Sequence, residues 1–338
     1  MTPPTQELSA VRHSWIVDDS GVRYTAFRRT LAPRWPSVWG KLLGGHLALA
    51  GCGAAIALLE RAVPGTLPGA AAGAVLAVAG GAVLGFWLHY LLLFQHEAAH
   101  YNLAPGRRLN DLAANACLGV ILGSDVRAYR QIHFVHHRNL GTTADTETSY
   151  FDPLDRRFLL ESLTGVRLVR SLAGYQRTSA GATESAASRT PSAETAGPPF
   201  LGPVFLAAGA VNASVVVGAL LLGLPALAAA WVLGMLTFLP LFNSVRQVLE
   251  HRGDSADDRA DYRRTPHGAV NRLFGDGMLA ATLGGAGFNR HLLHHWDPSV
   301  SFTRLREVER FLLRTDVAPL LLRRTTTYRE AWRELNRV

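Results

Sequence analysis

The sequence has very little cysteine, almost no lysine and little charge of any kind. Its 338 residues include two cysteines, Cys52 and Cys117. They lie far apart in apolar surroundings and form no C-x-x-C pair, which argues against a disulfide scaffold and a cysteine-ligated zinc site. Lys41 is the one lysine, so the net charge of +8 is carried by arginine. No basic run is interleaved with aromatic residues, which argues against a nucleic-acid partner. Charged residues make up 18% of the chain against 48% hydrophobic ones, too apolar for an average soluble enzyme. No Gly-x-Gly-x-x-Gly opens a strand-turn-helix unit, so no nucleotide-binding domain is expected. The first residues mix acids, arginine and proline rather than forming a charged and then apolar leader, and the first apolar stretch is read as retained.

What is there, first, is a set of long uncharged stretches. Residues 1–41 are polar and mixed and read as an arm with a short interfacial helix. Leu42 to Leu59 carries no charge, Glu60, Arg61, Pro64 and Pro68 mark a turn, and Ala62 to Gln95 is again uncharged. A bilayer core requires about 20 apolar residues per helix, so 42–59 and 70–95 predict an antiparallel pair of membrane helices. Phe200 to Val245 is also uncharged, with a Gly-Leu-Pro break at 223–225, predicting spans over 200–222 and 226–245. Leu109–Gly123 is too short to cross, carries Asp111, and is expected in the interface or briefly re-entrant. Residues 171–199, rich in Ser, Thr, Ala, Gly and Pro, read as a flexible linker. The expected organisation is an arm (1–41), a membrane domain (42–315) and a tail (316–338). Pro240 should kink the last span. Gly80, Gly81 and Gly85 either leave room for a ligand or let helices approach.

The second feature is histidine. Four clusters hold His96 and His100 (QHEAAH), His133, His136 and His137 (HFVHH), His251 (VRQVLEH), and His291, His294 and His295 (HLLHH). Imidazole is the commonest side-chain ligand of iron, copper and zinc, and these nine are too many for one ion and suit two. Spacings of i, i+3 and i+4 put each set on one helical face. Four crossings place both termini and every cluster on one side of the membrane, and the arginine-rich segments share it, which makes that side cytoplasmic. His89, one heptad before His96, is read as a buried histidine bonded to a neighbouring helix, or as a support or substrate contact. The H-E-x-x-H match in HEAAH also fits a membrane zinc protease, with Glu97 as base. That reading leaves the other histidines without a role. Otherwise Glu97 orients an imidazole.

The three boxes in this order and spacing resemble those of the membrane fatty acid desaturase and hydroxylase superfamily. LNDLAANACLGVILG, YRQIHFVHHRNLGT and HHWDPSVSFTRL are similar to its bacterial acyl-desaturase branch. The likeness runs over nearly all of 86–315. It implies an all-α integral membrane fold with four transmembrane helices and a cytoplasmic helical cap. It implies two irons (a diiron site) held by the eight box histidines and His251, with O2 as co-substrate. Asn243 or Asn289 would support a water near the irons. The activity implied is oxidation of an apolar chain taken from the lipid bilayer: acyl desaturation, or hydroxylation of a lipid, alkane or carotenoid. With no nucleotide-binding or haem-binding unit in the sequence, electrons would come from a ferredoxin or rubredoxin with its reductase. The implied location is a bacterial inner membrane.

Overall fold

The computed structural model describes residues 7–62, 67–167, 169–170 and 202–337. Among these the regular structure is helical, and four helices are long and apolar enough to cross a membrane. The first, α1 (Trp35–Ala62), begins earlier than composition suggested, because Pro36 falls in its first turn, where a missing N–H costs nothing. The second, α2 (Leu67–Ala99), has 33 residues. At about 1.5 Å per residue it is about 50 Å long, against a hydrocarbon core of about 30 Å. Its end therefore stands clear of the lipid, carrying the first histidine box. The expected linker, 171–199, lies outside the described residues.

α3 (Arg107–Ala114) runs into a π-helical turn at Asn115–Gly119 and ends at Leu122. Leu109 and Leu112 are exposed while Asp111 is buried against Arg130, as an interfacial segment requires. α4 (Val126–Asn139) carries the second box, and Asp125 caps it by accepting from the N–H groups of Arg127 and Ala128. α5 (Pro203–Leu221) is the third span. The fourth consists of α6 (Pro225–Leu233), a π-helical turn (Gly234–Phe238) and α7 (Leu239–His251). The expected disturbance at Pro240 appears as that π-turn, which absorbs the lost hydrogen bond. The Glu60 carboxylate accepts from the N–H groups of Ala226 and Leu227 at 2.6 and 2.9 Å, closing the start of the fourth span.

Gly81 and Gly85 of α2 are packing devices. A Cβ on Gly81 would stand 2.8 Å from Leu233 Cβ. On Gly85 it would meet Phe238, and lie 3.0 Å from Gly234 O and 3.1 Å from Leu239 N. The space beside these glycines is filled by the fourth span, so it holds no ligand.

The cap is built on the third box, in α8 (His291–Trp296), on α9 (Leu305–Leu312) and on α10 (Tyr328–Leu335). The N-terminal arm packs on the cap. Tyr24 is fully buried and donates to Asp297, Trp296 donates to Val11 O, and Phe27 stacks on Phe311 at 4.4 Å. Aromatic burial against α9 holds the arm there. The C-terminal segment also docks, with Tyr328 stacked on Phe274 at 3.9 Å.

Candidate metal centre

α2 and the fourth span both end in histidine, and their ends meet. Into the same space α4 brings the second box and α8 the third. All nine box and span-end histidines converge there, in two adjoining groups. His96, His100, His133, His137 and His294 offer nitrogens within 4.8 Å of one another. The second group is formed by His136, His251 and His295 together with His291, which meets His251 and Glu250. The groups abut: the His137 and His295 rings stack at 4.2 Å.

The second and third boxes are therefore divided between the groups, where one helical face suggested a single stripe. In every box the i, i+4 pair stays together: His96 with His100, His133 with His137, His291 with His295. The residue between, His136 or His294, turns to the opposite group.

The inward nitrogens are Nε2. His100 and His133 approach at 2.9 Å, His137 and His133 at 2.9 Å, His294 and His137 at 3.3 Å, and His291 and His251 at 3.1 Å, each through Nε2. The buried Nε2 atoms of His96 and His295 have no hydrogen-bond partner among the described residues. Burial first, and neighbouring imidazoles second, hold His137, His291, His294 and His295 well below the ordinary histidine pKa. Where Nδ1 meets an oxygen acceptor, as in His133, His136 and His251, the neutral ring turns the lone pair of Nε2 inward, and neutral nitrogen is the form a metal takes. The donor set fits two transition-metal ions.

Carboxylates hold the rings from outside. Asp145 Oδ1 lies 2.8 Å from His136 Nδ1, and Glu147 Oε1 lies 3.3 Å from His133 Nδ1. Glu97 Oε1 lies 3.5 Å from His294 Nδ1, while its Oε2 accepts from the Phe302 N–H. The Asp145 and Glu147 contacts fix their rings and raise their basicity, whereas His294 Nδ1 makes no hydrogen bond among the described residues. Burial pushes the Glu147 carboxyl up, but the charge of His136 and the His133 hydrogen bond outweigh it and leave it well below the carboxylate range. Burial lowers His136, and Glu147 and Asp145 overcome it, so its pKa is raised.

Other sequence-predicted residues stand elsewhere. The Asn289 amide donates to Gly275 O at 2.9 Å and so braces a loop. Asn243 Oδ1 accepts from Arg246 at 3.2 Å, and that arginine in turn pairs with Glu250. Asn243 is thus two links from the nearest metal-capable group. His89 is buried near Phe242, and its Nε2 makes no bond to a neighbouring helix among the described residues. Sequence reasoning passed over Asp145, Glu147, Gln247 and Glu250. Gln247 donates to Glu147 at 2.8 Å. Two signals were present: the acids in ADTE just after the second box, and Glu250 directly before His251.

A family model described as fatty acid desaturase matches residues 73–328. The match takes in every histidine of both groups.

Proposed function

Since the chain belongs to the fatty acid desaturase family, and so is a membrane protein of oxidoreductase type, we propose that it is a diiron, O2-dependent acyl-chain desaturase. The observation that carries this reading is the convergence of nine buried or half-buried imidazoles as two adjoining groups at the ends of two membrane spans. His96, His100, His133, His137 and His294 would hold one iron, and His136, His251, His291 and His295 the other. When bound, the pair supplies reduction of dioxygen with two external electrons and removal of hydrogen from an unactivated methylene.

The protein's own part is placement and exclusion. Asp145, Glu147 and Glu97 orient the rings from their Nδ1 sides. Phe288 packs on His96 at 4.5 Å and on His291 at 4.9 Å, and so walls both groups with an apolar surface. The substrate is an apolar chain reaching the metals from the lipid. Electrons come from a separate ferredoxin or rubredoxin with its reductase. The histidine side is cytoplasmic in a bacterial inner membrane, in keeping with the arginine-rich segments around the boxes. A zinc protease would need Glu97 beside a metal-bound water, and Glu97 instead contacts Nδ1 of His294, away from the inward Nε2.

The test is metal analysis joined to product analysis. Purified protein should carry about two irons per chain, and cells expressing it with a ferredoxin system should accumulate lipids lacking two hydrogens. Lipids gaining one oxygen would make it a hydroxylase. One zinc and no iron would refute the reading. His136→Ala and His294→Ala should each abolish turnover and full iron loading while the protein still inserts.

A further inference from the structure

Four carboxylates approach the imidazoles, and one of them differs from the rest. Asp145, Glu147 and Glu97 each face an Nδ1 atom, on the outer side of a ring. Glu250 faces the inner side: its Oε2 lies 3.5 Å from His291 Nε2, the same nitrogen that points at His251 Nε2. Glu250 is fully buried. Its Oε2 is paired with Arg246, one turn earlier on α7, while its Oε1 has no hydrogen-bond partner among the described residues. A wholly buried carboxylate oxygen without a partner is costly unless a cation or donor meets it. The two groups are also unequal, with five imidazoles in the first and four in the second. Glu250, His251 and His291 offer their ligand atoms within 4.8 Å of one another.

We propose that Glu250 is a metal ligand of the second centre, a carboxylate oxygen completing the set of His136, His251, His291 and His295. This rests on the two-iron reading above. It makes the pair chemically unlike: one ion held by neutral nitrogen alone, the other by nitrogen and one anionic oxygen. An anionic oxygen favours the more oxidised ion at that position, so the second iron is the one oxidised more readily. Arg246 is then a positioning residue, holding the carboxylate at Oε2.

The experiment loads the full-length protein in detergent anaerobically with ferrous iron enriched in the Mössbauer isotope. Iron per chain and the Mössbauer spectrum are compared for wild type, Glu250→Gln and Arg246→Gln. Wild type should give two doublets of equal area. Glu250→Gln should leave one doublet unmoved, shift or lose the other, and weaken one iron more than tenfold. Arg246→Gln keeps the carboxylate and should retain both irons. If Glu250→Gln does not fold, Glu250→Asp keeps the charge but withdraws the oxygen by one methylene, and should disturb the same single doublet. Two unchanged doublets and unchanged affinity in either Glu250 variant would overturn the ligand role and leave Glu250 as the partner of Arg246. A wild type binding only one metal would fail earlier, overturning the two-iron reading and this assignment with it.

Discussion

Replacing Asp145 by Asn should separate the two centres. Asp145 is buried, and it engages three groups: Oδ1 lies 2.8 Å from His136 Nδ1 and accepts from the Glu147 N–H at 2.9 Å, while Oδ2 accepts from the Tyr150 hydroxyl. That hydroxyl itself accepts from the Gly141 N–H at 2.8 Å. An asparagine fits the space and keeps an acceptor toward His136. Its amide N–H2 must face the Tyr150 oxygen, whose own proton then has no acceptor. The change removes the charge behind one imidazole and frustrates one buried hydrogen bond. A charge-assisted bond of this type is worth about 1.5–3 kcal/mol. Loss of an outer carboxylate typically weakens a metal site about 10- to 100-fold, or about 1.4–2.7 kcal/mol, and the two estimates agree. The loss should fall on the iron held by His136, because Asp145 touches no histidine of the first group. Iron per chain, measured during titration with a chelator, should then fall in two steps, with one iron retained where wild type keeps both. Joint loss of both irons, or affinity equal to wild type, would refute the idea that this carboxylate serves one centre. Tyr150→Phe, which spares the carboxylate, should weaken the same iron less.

Three further outcomes follow from other contacts. Glu97→Gln should weaken the first centre about tenfold through His294 and leave measurable desaturation, whereas a protease base at this position would leave no activity; iron retention and lipid analysis decide. Gly85→Ala forces a methyl onto Phe238 and the backbone of the π-turn, and should cost about 1–3 kcal/mol by overpacking. It is read as a lower melting temperature in detergent, and an unchanged melting temperature with altered product chain length would mean that Gly85 borders substrate after all. Asp111 is buried beside Arg130 and Arg127. Burial raises its carboxyl and the Arg130 and Asn110 hydrogen bonds lower it, with a net depression. A depressed carboxyl stabilises the fold above its unfolded value of about 3.9, and that stability is lost as pH falls through the folded value. Asp111→Asn should therefore melt lower than wild type near neutrality, and the gap should close as pH falls through the depressed folded value; a gap independent of pH would remove the ion pair from the account.

The membrane spans were legible because an uncharged stretch of sufficient length has few other uses, but their ends were not. A helix leaving lipid need not stop, and α2 continues until Tyr101 takes a positive φ of 62° and the Asn102 N–H turns back to Glu97 O. Pro36 sits in a first turn and Pro240 behind a π-turn, so neither ends its helix. The surroundings of the two asparagines proposed as water holders were hidden for another reason. An amide is committed by whatever the fold brings beside it, and neither Gly275 O nor the Arg246 rotamer is visible in sequence. Glu250 was concealed by its own neighbour, since an i, i+4 arginine offers a complete account of a helical glutamate until its second oxygen is found unpartnered.

Histidine spacing was legible because ligation by one helix is local, and the same geometry accounts for how the boxes are shared. Residues i and i+4 stand one above the other at about 6 Å, close enough to serve one ion, while i+3 leans to the other side of that line. A box of the form H-x-x-H-H therefore delivers a pair to one centre and a single ring to its neighbour. α4 gives its pair to the first centre and His136 to the second; α8, arriving from the other side, gives its pair to the second and His294 to the first. With His96 and His100 from α2, the first centre has five imidazoles. The second has three from boxes and must be completed from the fourth span, which supplies His251. Two boxes of equal size and opposed approach balance each other, so the inequality between the centres comes wholly from what the two spans contribute: two imidazoles from α2, one from α7. The residue standing where the missing donor would be is Glu250.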